Sequence, residues 1–475
     1  MRAQRPRAAA LRFDAMELDR LTAALAAREV VGAARVEIRD LAYDTRAVGP
    51  GSLFFCVPGA TRDGHDLAGE AIAAGAVALV VERPLPAPVP QIVVDSVRRA
   101  MPAAASVFFG APSHELDVAA VTGTNGKTTT AFLLASILDA AGRRPGLLTN
   151  IERRIGGESR PTGLNTPEAI DLQRLFREML DAGDRSCAME ATSIASAKGR
   201  LDGTRFAVLV FTNLTQDHLD FHGTMEDYYA AKRALFEQAE RAVVNVGDEW
   251  GRRLAAELPH ARTFTPDDEL DGFELKLRGA FNRANALAAI GAARELGVDE
   301  EAIARGIAAV DGVPGRFEEV DAGQPFTVLV DYAHTPDSLA NVLRAARTLG
   351  DRLFVVFGAG GDRDRDKRPL MGRVAAELAD HAIVTTDNPR SEDPARIAAE
   401  VADGALEIVL DRRDAIGRAL ASARAGDVVV IAGKGADTEM EIDGRFVPFD
   451  DRAVAREILG AAPAGSAAAA HGGRA

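Results

Sequence analysis

The chain has 475 residues, too many for one hydrophobic core and in the range of about three domains. A formal net charge of −14 argues against a nucleic-acid partner, because a non-specific binder needs a positive surface for phosphates. With 47% hydrophobic and 27% charged residues and no apolar run of membrane-spanning length, the composition is that of an α/β protein without membrane insertion, expected in the cytoplasm.

Residues 1–15 (MRAQRPRAAALRFDA) are Arg/Ala-rich and lack the apolar stretch of a secretory signal. They are expected to be a flexible extension, with Met16 an alternative start. Over residues 16–116 short strands alternate with one helix, as in GSLFFCVPG and DLAGEAIAAGAVALVVE, and FFGAPSHEL forms the exit linker. Residues 117–318 read as strand, loop and helix: DVAAVTG, then the turn TNGK, then TTTAFLLASILDAAG, with later strands in SCAMEA, FAVLVFTN and RAVVNV. Residues 319–461 carry the strands TVLVDYA, DRLFVVFGAG, HAIVTTD and DVVVIAG, each followed by polar or helical sequence. That order predicts a mostly parallel sheet with ligand loops at the carboxyl ends of its strands. Residues 462–475 are low-complexity and expected to be disordered. The two cysteines, Cys56 and Cys187, lie in apolar strand-like runs and read as buried, reduced thiols.

The stretch VTGTNGKTTT departs from the common phosphate loop. Gly126, Lys127 and Thr128 fit, but Val121 stands where the first glycine belongs, and Gly123 comes two residues late. Backbone amides from Gly123 through Thr124, Asn125 and Gly126 to Lys127, at a helix start, would cradle a polyphosphate. Lys127 would neutralise its oxygens, and the Thr128 hydroxyl, followed by Thr129, would reach Mg²⁺. Glu190 ends a strand, where it is either a metal-holding carboxylate or a solvated acid. Asp217, His218, Asp220 and His222 crowd the end of another strand without the spacing of a zinc helix, and Lys232 on the next helix reads by default as a surface lysine. Asn282 and Asn285 could meet a purine edge or serve as helix caps. In the last block Asp331, His334, Asp362, Arg363, Asp364, Asp387, Asn388, Arg390, Gly433, Lys434 and Asp437 sit in mixed-charge loops at strand ends, which suggests a pocket for a zwitterion.

VTGTNGKTTT, MEATS, FTNLTQDHLDFHG with Lys232, LRGAFNRANALAA, VPGRFE, VDYAHTPDSL, GGDRDRDKRPLMG and DNPRSEDP occur in the order seen in the Mur ligases, which the chain resembles from about Tyr43 to Leu459. The resemblance implies three domains: a small N-terminal α/β domain for a UDP substrate, a central P-loop ATPase-like parallel-sheet domain, and a C-terminal Rossmann-like domain for an amino acid. It implies an ATP-dependent, ADP-forming amide ligase of peptidoglycan precursor synthesis, acting as a monomer. Its substrates would be ATP, UDP-N-acetylmuramoyl-L-Ala-D-Glu and a diamino acid. An acyl phosphate would form on the D-glutamyl carboxylate and be attacked by the incoming amine.

On the same resemblance Lys127, Glu190, His218 and Lys232 are catalytic. Thr128, Glu190, His218 and a CO₂-derived carbamate on Lys232 would hold Mg²⁺. Asn282, Asn285, Arg316 and Asp331 match positions around adenine and ribose. Thr45, in YDTRAV, and His65 match segments near the uridine, and Asn165, Thr166, Thr192 and Arg200 match contacts of the sugar-dipeptide. DNPR resembles the branch that adds meso-diaminopimelate, with Arg390 on the distal carboxylate and Arg363, Asp387, Asn388, Gly433 and Asp437 around it. The chain departs from the usual pattern at GKGAD, where Ala436 and Asp437 replace His and Glu, and at Ile194 and Lys198 in TSIASAKGR. A lysine- or ornithine-adding ligase is the nearest alternative. A ligase-derived nucleotide-binding regulator without turnover is an alternative of another class.

Overall fold

The computed structural model describes residues 15–32, 35–59 and 62–461; residues 1–14 of the expected extension and the tail at 462–475 lie outside them. The fold is α/β and is built on three main sheets.

The first sheet runs in the order Glu29–Val31, Gln91–Val93, Ala76–Val81, Ser52–Phe55, Asp40–Ala42, parallel except for the antiparallel edge pair 29–31 with 91–93. Here the expectation of a single helix is corrected: Leu18–Ala24, Ala68–Ala74 and Val97–Phe108 are all helical. In the last, Val97, Ala100, Met101, Ala104, Ala105 and Phe108 recur at helical spacing on the buried face, and Ser96 caps the start. That continuous apolar stripe prevails over the breaking tendency of Pro102. His65 is buried in this unit with both ring nitrogens engaged: Nδ1 lies 2.6 Å from Asp63 Oδ1, and Nε2 accepts the Glu82 N–H at 2.9 Å.

The second sheet has eight strands, in the order 158–160, 153–155, 145–148, 186–190, 117–122, 208–211, 242–245 and 262–264. Six are parallel, and the first two form an antiparallel edge. Helices Lys127–Ala140, Ala280–Glu295 and Glu300–Ala308 cover one face, and Ala169–Asp181 packs on the other. Both faces are thus buried, which is why DVAAVT and VLVF carry almost no polar alternation.

The third sheet runs 318–319, 327–331, 428–432, 353–357, 381–384, 407–408, all parallel apart from the first. A short antiparallel hairpin, Glu439–Ile442 with Arg445–Pro448, projects beyond it. Its Asp443-Gly444 turn has positive φ at both residues (49° and 70°), the arrangement a two-residue hairpin turn demands. Cys56 and Cys187 are free and buried, as expected, and burial pushes the Cys56 thiol up to about 12.

Beneath the carboxyl ends of the third sheet, Arg412 and Asp451 form a fully buried bidentate pair, Nε to Oδ1 and Nη2 to Oδ2 each 2.7 Å. Arg412 also donates to Ala432 O at 2.9 Å and Thr386 O at 3.2 Å, tying two strand-end loops together. Arg412→Ala leaves the Asp451 charge buried and unpaired, so urea unfolding should report a loss of about 3–5 kcal/mol. A loss below about 1 kcal/mol would show that the pair is not a fixed part of this core.

Candidate active site

The carboxyl ends of the second and third sheets face a shared cavity of about 500 Å³. At its floor, strand Asp117–Thr122 turns through the phosphate loop into helix Lys127–Ala140. Gly123 (φ 143°) and Gly126 (φ 87°) adopt backbone angles that suit glycine, and a Cβ at either would overlap Thr212 Oγ1 or Asn285 Oδ1 respectively. The loop amides at the helix start form the positive end of its dipole. Lys127 Nζ folds back onto the carbonyls of Gly123 (3.0 Å) and Thr124 (2.7 Å). Thr128 Oγ1 donates to Glu190 Oε1 at 2.8 Å and accepts from Arg316 Nη2 at 3.0 Å.

Glu190 is buried at its strand end, where Asn150 N–H also donates to it at 3.2 Å. Among the described residues no three His, Cys, Asp or Glu side chains gather as a metal cage. Magnesium does not require one: it takes one or two carboxylates and completes its octahedron with phosphate and water. The buried carboxylate beside the loop hydroxyl is an oxygen donor set of that kind.

Lys232 overturns its default reading as a surface residue. It is 1% exposed, its Nζ donates to Gly123 O at 2.7 Å, and it lies 4.6 Å from the Tyr228 ring. Burial, reinforced by the neighbouring Lys127 charge, holds its pKa well below that of an ordinary lysine. His218 has positive φ (55°), and its partly buried ring is pushed down to about 3 by burial and by Lys127 and Lys232, against the pull of Asp217.

Asp217 joins the two facing units. Its carboxylate lies 3.4 Å from His218 Nε2, 3.8 Å from His334 Nε2 and 3.6 Å from Lys367 Nζ. Burial opposes its ionisation, yet the surrounding His218, Lys367, His334 and Lys127 keep it well below the usual carboxylate range. Asn125 Nδ2 adds a bond to Asp337 Oδ2 at 3.0 Å, from the phosphate loop to the third-sheet unit.

Asn285, Arg316, Asp331 and His334 line the cavity together with residues 124–129. The Asp331 oxygens accept from Phe317 N–H (2.6 Å) and Ala333 N–H (2.7 Å), which fixes the turns on either side of it. The Asn282 amide donates to Arg278 O at 2.8 Å and accepts from Asn285 at 3.0 Å, behind the cavity wall. Thr166, Thr192 and Arg200 form one patch beside Glu190: Thr166 Oγ1 donates to Glu190 O at 2.9 Å and sits 3.1 Å from Thr192 Oγ1, and Arg200 Nη1 donates to Thr166 O at 3.2 Å. Asn165 lines the cavity. Thr45 sits apart on the first sheet's loop, bonded to Glu70 at 2.8 Å.

The expected zwitterion residues form a second cluster. Arg390 (φ 53°) donates to Gly361 O at 2.6 Å, with Arg363 close by. Asp387 accepts from Asn388 N–H at 2.6 Å, and a Cβ on Gly433 would overlap Asp387 Oδ2. Burial and the neighbouring Asp387 push Asp437 up to about 6, against the pull of Lys434. Tyr332 lines the cavity and lies in the fields of both Asp387 and Asp437, and the Arg316 guanidinium stacks on its ring at 4.4 Å.

Three family models match the chain in succession: the Mur ligase family catalytic domain over residues 37–109, the Mur ligase middle domain over 121–265 and the Mur ligase glutamate ligase domain over 315–435. The chain belongs to the Mur ligase family. Among curated relatives, the UDP-N-acetylmuramoyl-L-alanyl-D-glutamate--2,6-diaminopimelate ligase of Solibacter usitatus is 45% identical, covering 90% of this chain and 94% of that one. The ligase of the same name from Geobacillus kaustophilus is 46% identical over 89% of this chain and 95% of its own. A solved structure of a ligase of that name matches with a TM-score of 0.64 and 29% identity, covering 94% and 99% of the two chains.

In this Mur ligase the phosphate loop, Glu190, His218 and Lys232 lie around one cavity, while the DNPR and GKGAD loops meet beside it. Sequence reasoning noticed Asp217 without giving it a role, and missed Asn150, Tyr332 and Lys367 altogether. The density of ionisable residues after strand Val208–Phe211 was the available signal for Asp217.

Proposed function

We propose that this ligase joins meso-diaminopimelate to the D-glutamyl carboxylate of UDP-N-acetylmuramoyl-L-alanyl-D-glutamate, with ATP cleaved to ADP and phosphate, in peptidoglycan precursor synthesis. The observation that carries this reading is the DNPR cluster, with Arg390 and Arg363 together, opening beside the cavity of the phosphate loop. The names of relatives at 45–46% identity support it. The proposed setting is the cytoplasm and the proposed state a monomer, with residues 16–116 serving the UDP substrate, 117–318 ATP and 319–461 the amino acid.

On this reading the loop amides of residues 123–127 and the Lys127 ammonium take the β- and γ-phosphates. Lys127 releases its bonds to Gly123 and Thr124 to do so. Thr128, Glu190, His218 and a carbamate on Lys232 would hold Mg²⁺, which when bound supplies charge neutralisation of the phosphate oxygens. Neutral His218 has a free ring lone pair for that purpose. Asn285, Arg316 and Asp331 would border the nucleoside. Thr166, Thr192, Asn165 and Arg200 orient the glutamyl carboxylate toward the γ-phosphoryl group. The carboxylate oxygen takes the phosphoryl group as the bond to ADP breaks. The amine then attacks the acyl carbon, and phosphate leaves.

The burial of Lys232 supports a carbamate there. A low-pKa amine is neutral, hence nucleophilic, and its nitrogen adds to the carbon of CO₂ with loss of one proton. The carbamate keeps one N–H, so the bond to Gly123 O can persist while a carboxylate-like anion is gained.

Phosphate release from ATP, with product mass, should be measured with meso-diaminopimelate, L-lysine and L-ornithine supplied separately. Turnover with diaminopimelate should exceed that with lysine by at least about 10²-fold, since lysine leaves Arg390 without its carboxylate. Preference for lysine would overturn the specificity. Nucleotide binding without turnover on any amine would favour the regulatory alternative.

A further inference from the structure

The DNPR loop is held by the hairpin that follows GKGAD, outside the motifs that mark the family. Arg390 N–H donates to Glu441 O at 3.0 Å, Glu441 N–H donates to Asn388 Oδ1 at 2.9 Å, and Asp443 N–H donates to Arg390 O at 2.7 Å. These bonds fix the Glu441 backbone against Arg390. The Glu441 carboxylate lies 3.4 Å from Arg390 Nε, and both side chains border solvent, at 31% and 23% exposure. This contact is longer than a good charge-assisted hydrogen bond, so the pair is loosely closed. Of the other acids nearby, Asp387 is already engaged, accepting both the backbone and the side-chain N–H of Asn388, and Asp437 carries its carboxylate on a side chain one methylene shorter than that of Glu441.

Resting on the proposed function, we propose that Glu441 is a specificity-determining residue that takes the distal ammonium of the diamino acid while Arg390 takes the carboxylate on the same carbon. An α-amino-acid head carries both charges on one carbon. Entering between Arg390 and Glu441, it replaces one ion pair by two without changing the net charge of the site. A head with only an ammonium separates the pair and leaves Arg390 unmatched. A head with only a carboxylate leaves Glu441 facing a second anion. Either mismatch leaves a partly desolvated charge without a partner.

The test compares meso-diaminopimelate with L-2-aminopimelate, which keeps the reacting amine and the distal carboxylate but lacks the distal ammonium. The wild-type protein should prefer diaminopimelate by about tenfold or more in kcat/KM, and Glu441→Gln should shrink that preference to within about threefold. The change should appear in the KM for the amine, with kcat and the KM for ATP held within about twofold. Glu441→Asp, which preserves the charge, should retain part of the preference, a result that a merely structural role for the hairpin does not produce. An undiminished preference in Glu441→Gln overturns the inference, as does a lower KM for diaminopimelate, which would make Glu441 a competitor for Arg390. If the wild-type protein does not use diaminopimelate at all, the proposed function fails. If it does and the variants match it, this inference alone fails.

Discussion

Lys127→Ala should reduce kcat by about 10³-fold or more, with the fold intact. The side chain donates hydrogen bonds only to carbonyls of its own loop, so its removal breaks no hydrogen bond to another element. Its amine stands at the mouth of the phosphate cradle, where charge migrates as the phosphoryl group leaves ADP. Once it has moved from those carbonyls onto the phosphates, a cation in a site with little water contributes most at that moment, because no further reorganisation accompanies the transfer. Lys127→Arg should recover little, since a planar fork cannot take the place of a compact ammonium over the same carbonyls. The measurement is phosphate release at saturating substrates, with far-UV circular dichroism as the control for folding. A loss smaller than tenfold would falsify the assignment.

Lys232→Ala should cost about 10²–10³-fold in kcat, and added formate or acetate should restore activity by about tenfold. Without the side chain, a small carboxylate can enter the space between Gly123 and the Tyr228 ring and supply the missing anion. Propionate, larger than the carboxyl group it replaces, should restore less. ¹³C NMR of the wild-type protein equilibrated with labelled bicarbonate should show a carbamate carbon that is absent from Lys232→Ala. If no carboxylate restores activity and no such signal appears, Lys232 acts as an amine and the anion at this position must come from elsewhere.

Much of this site is visible in the chain because the strands are buried on both faces. Runs such as DVAAVT, SCAME, VLVF and VVVIA are apolar throughout, and the polar residues that follow each run mark the carboxyl edge where ligands collect. The glycines of the phosphate loop were legible for a similar reason, since the positive φ at Gly123 and Gly126 suits glycine and stands out in sequence. What depended on two units meeting was not legible. Asp217 gathers His334 and Lys367 from more than a hundred residues away, and no local spacing encodes that encounter. Lys232 looked like a helix-surface lysine because its burial comes from the phosphate loop rather than from its own helix. The hairpin at 439–448 did leave a signal, alternating residues around Asp-Gly, that was overlooked beside the louder GKGAD motif. Asn282, fit for base recognition or for a cap in sequence, donates in the fold to the Arg278 carbonyl just before its helix and accepts from Asn285 one turn on.

Lys127 and Lys232, which lie on different helices, both donate to the same Gly123 carbonyl. A single peptide plane therefore sets the resting position of both amines. Any tilt of that plane displaces both together, so their spacing before phosphate binds is buffered against small errors elsewhere in the fold. The same economy makes residue 123 a point of fragility, where one misplaced backbone atom puts two functional groups out of alignment at once.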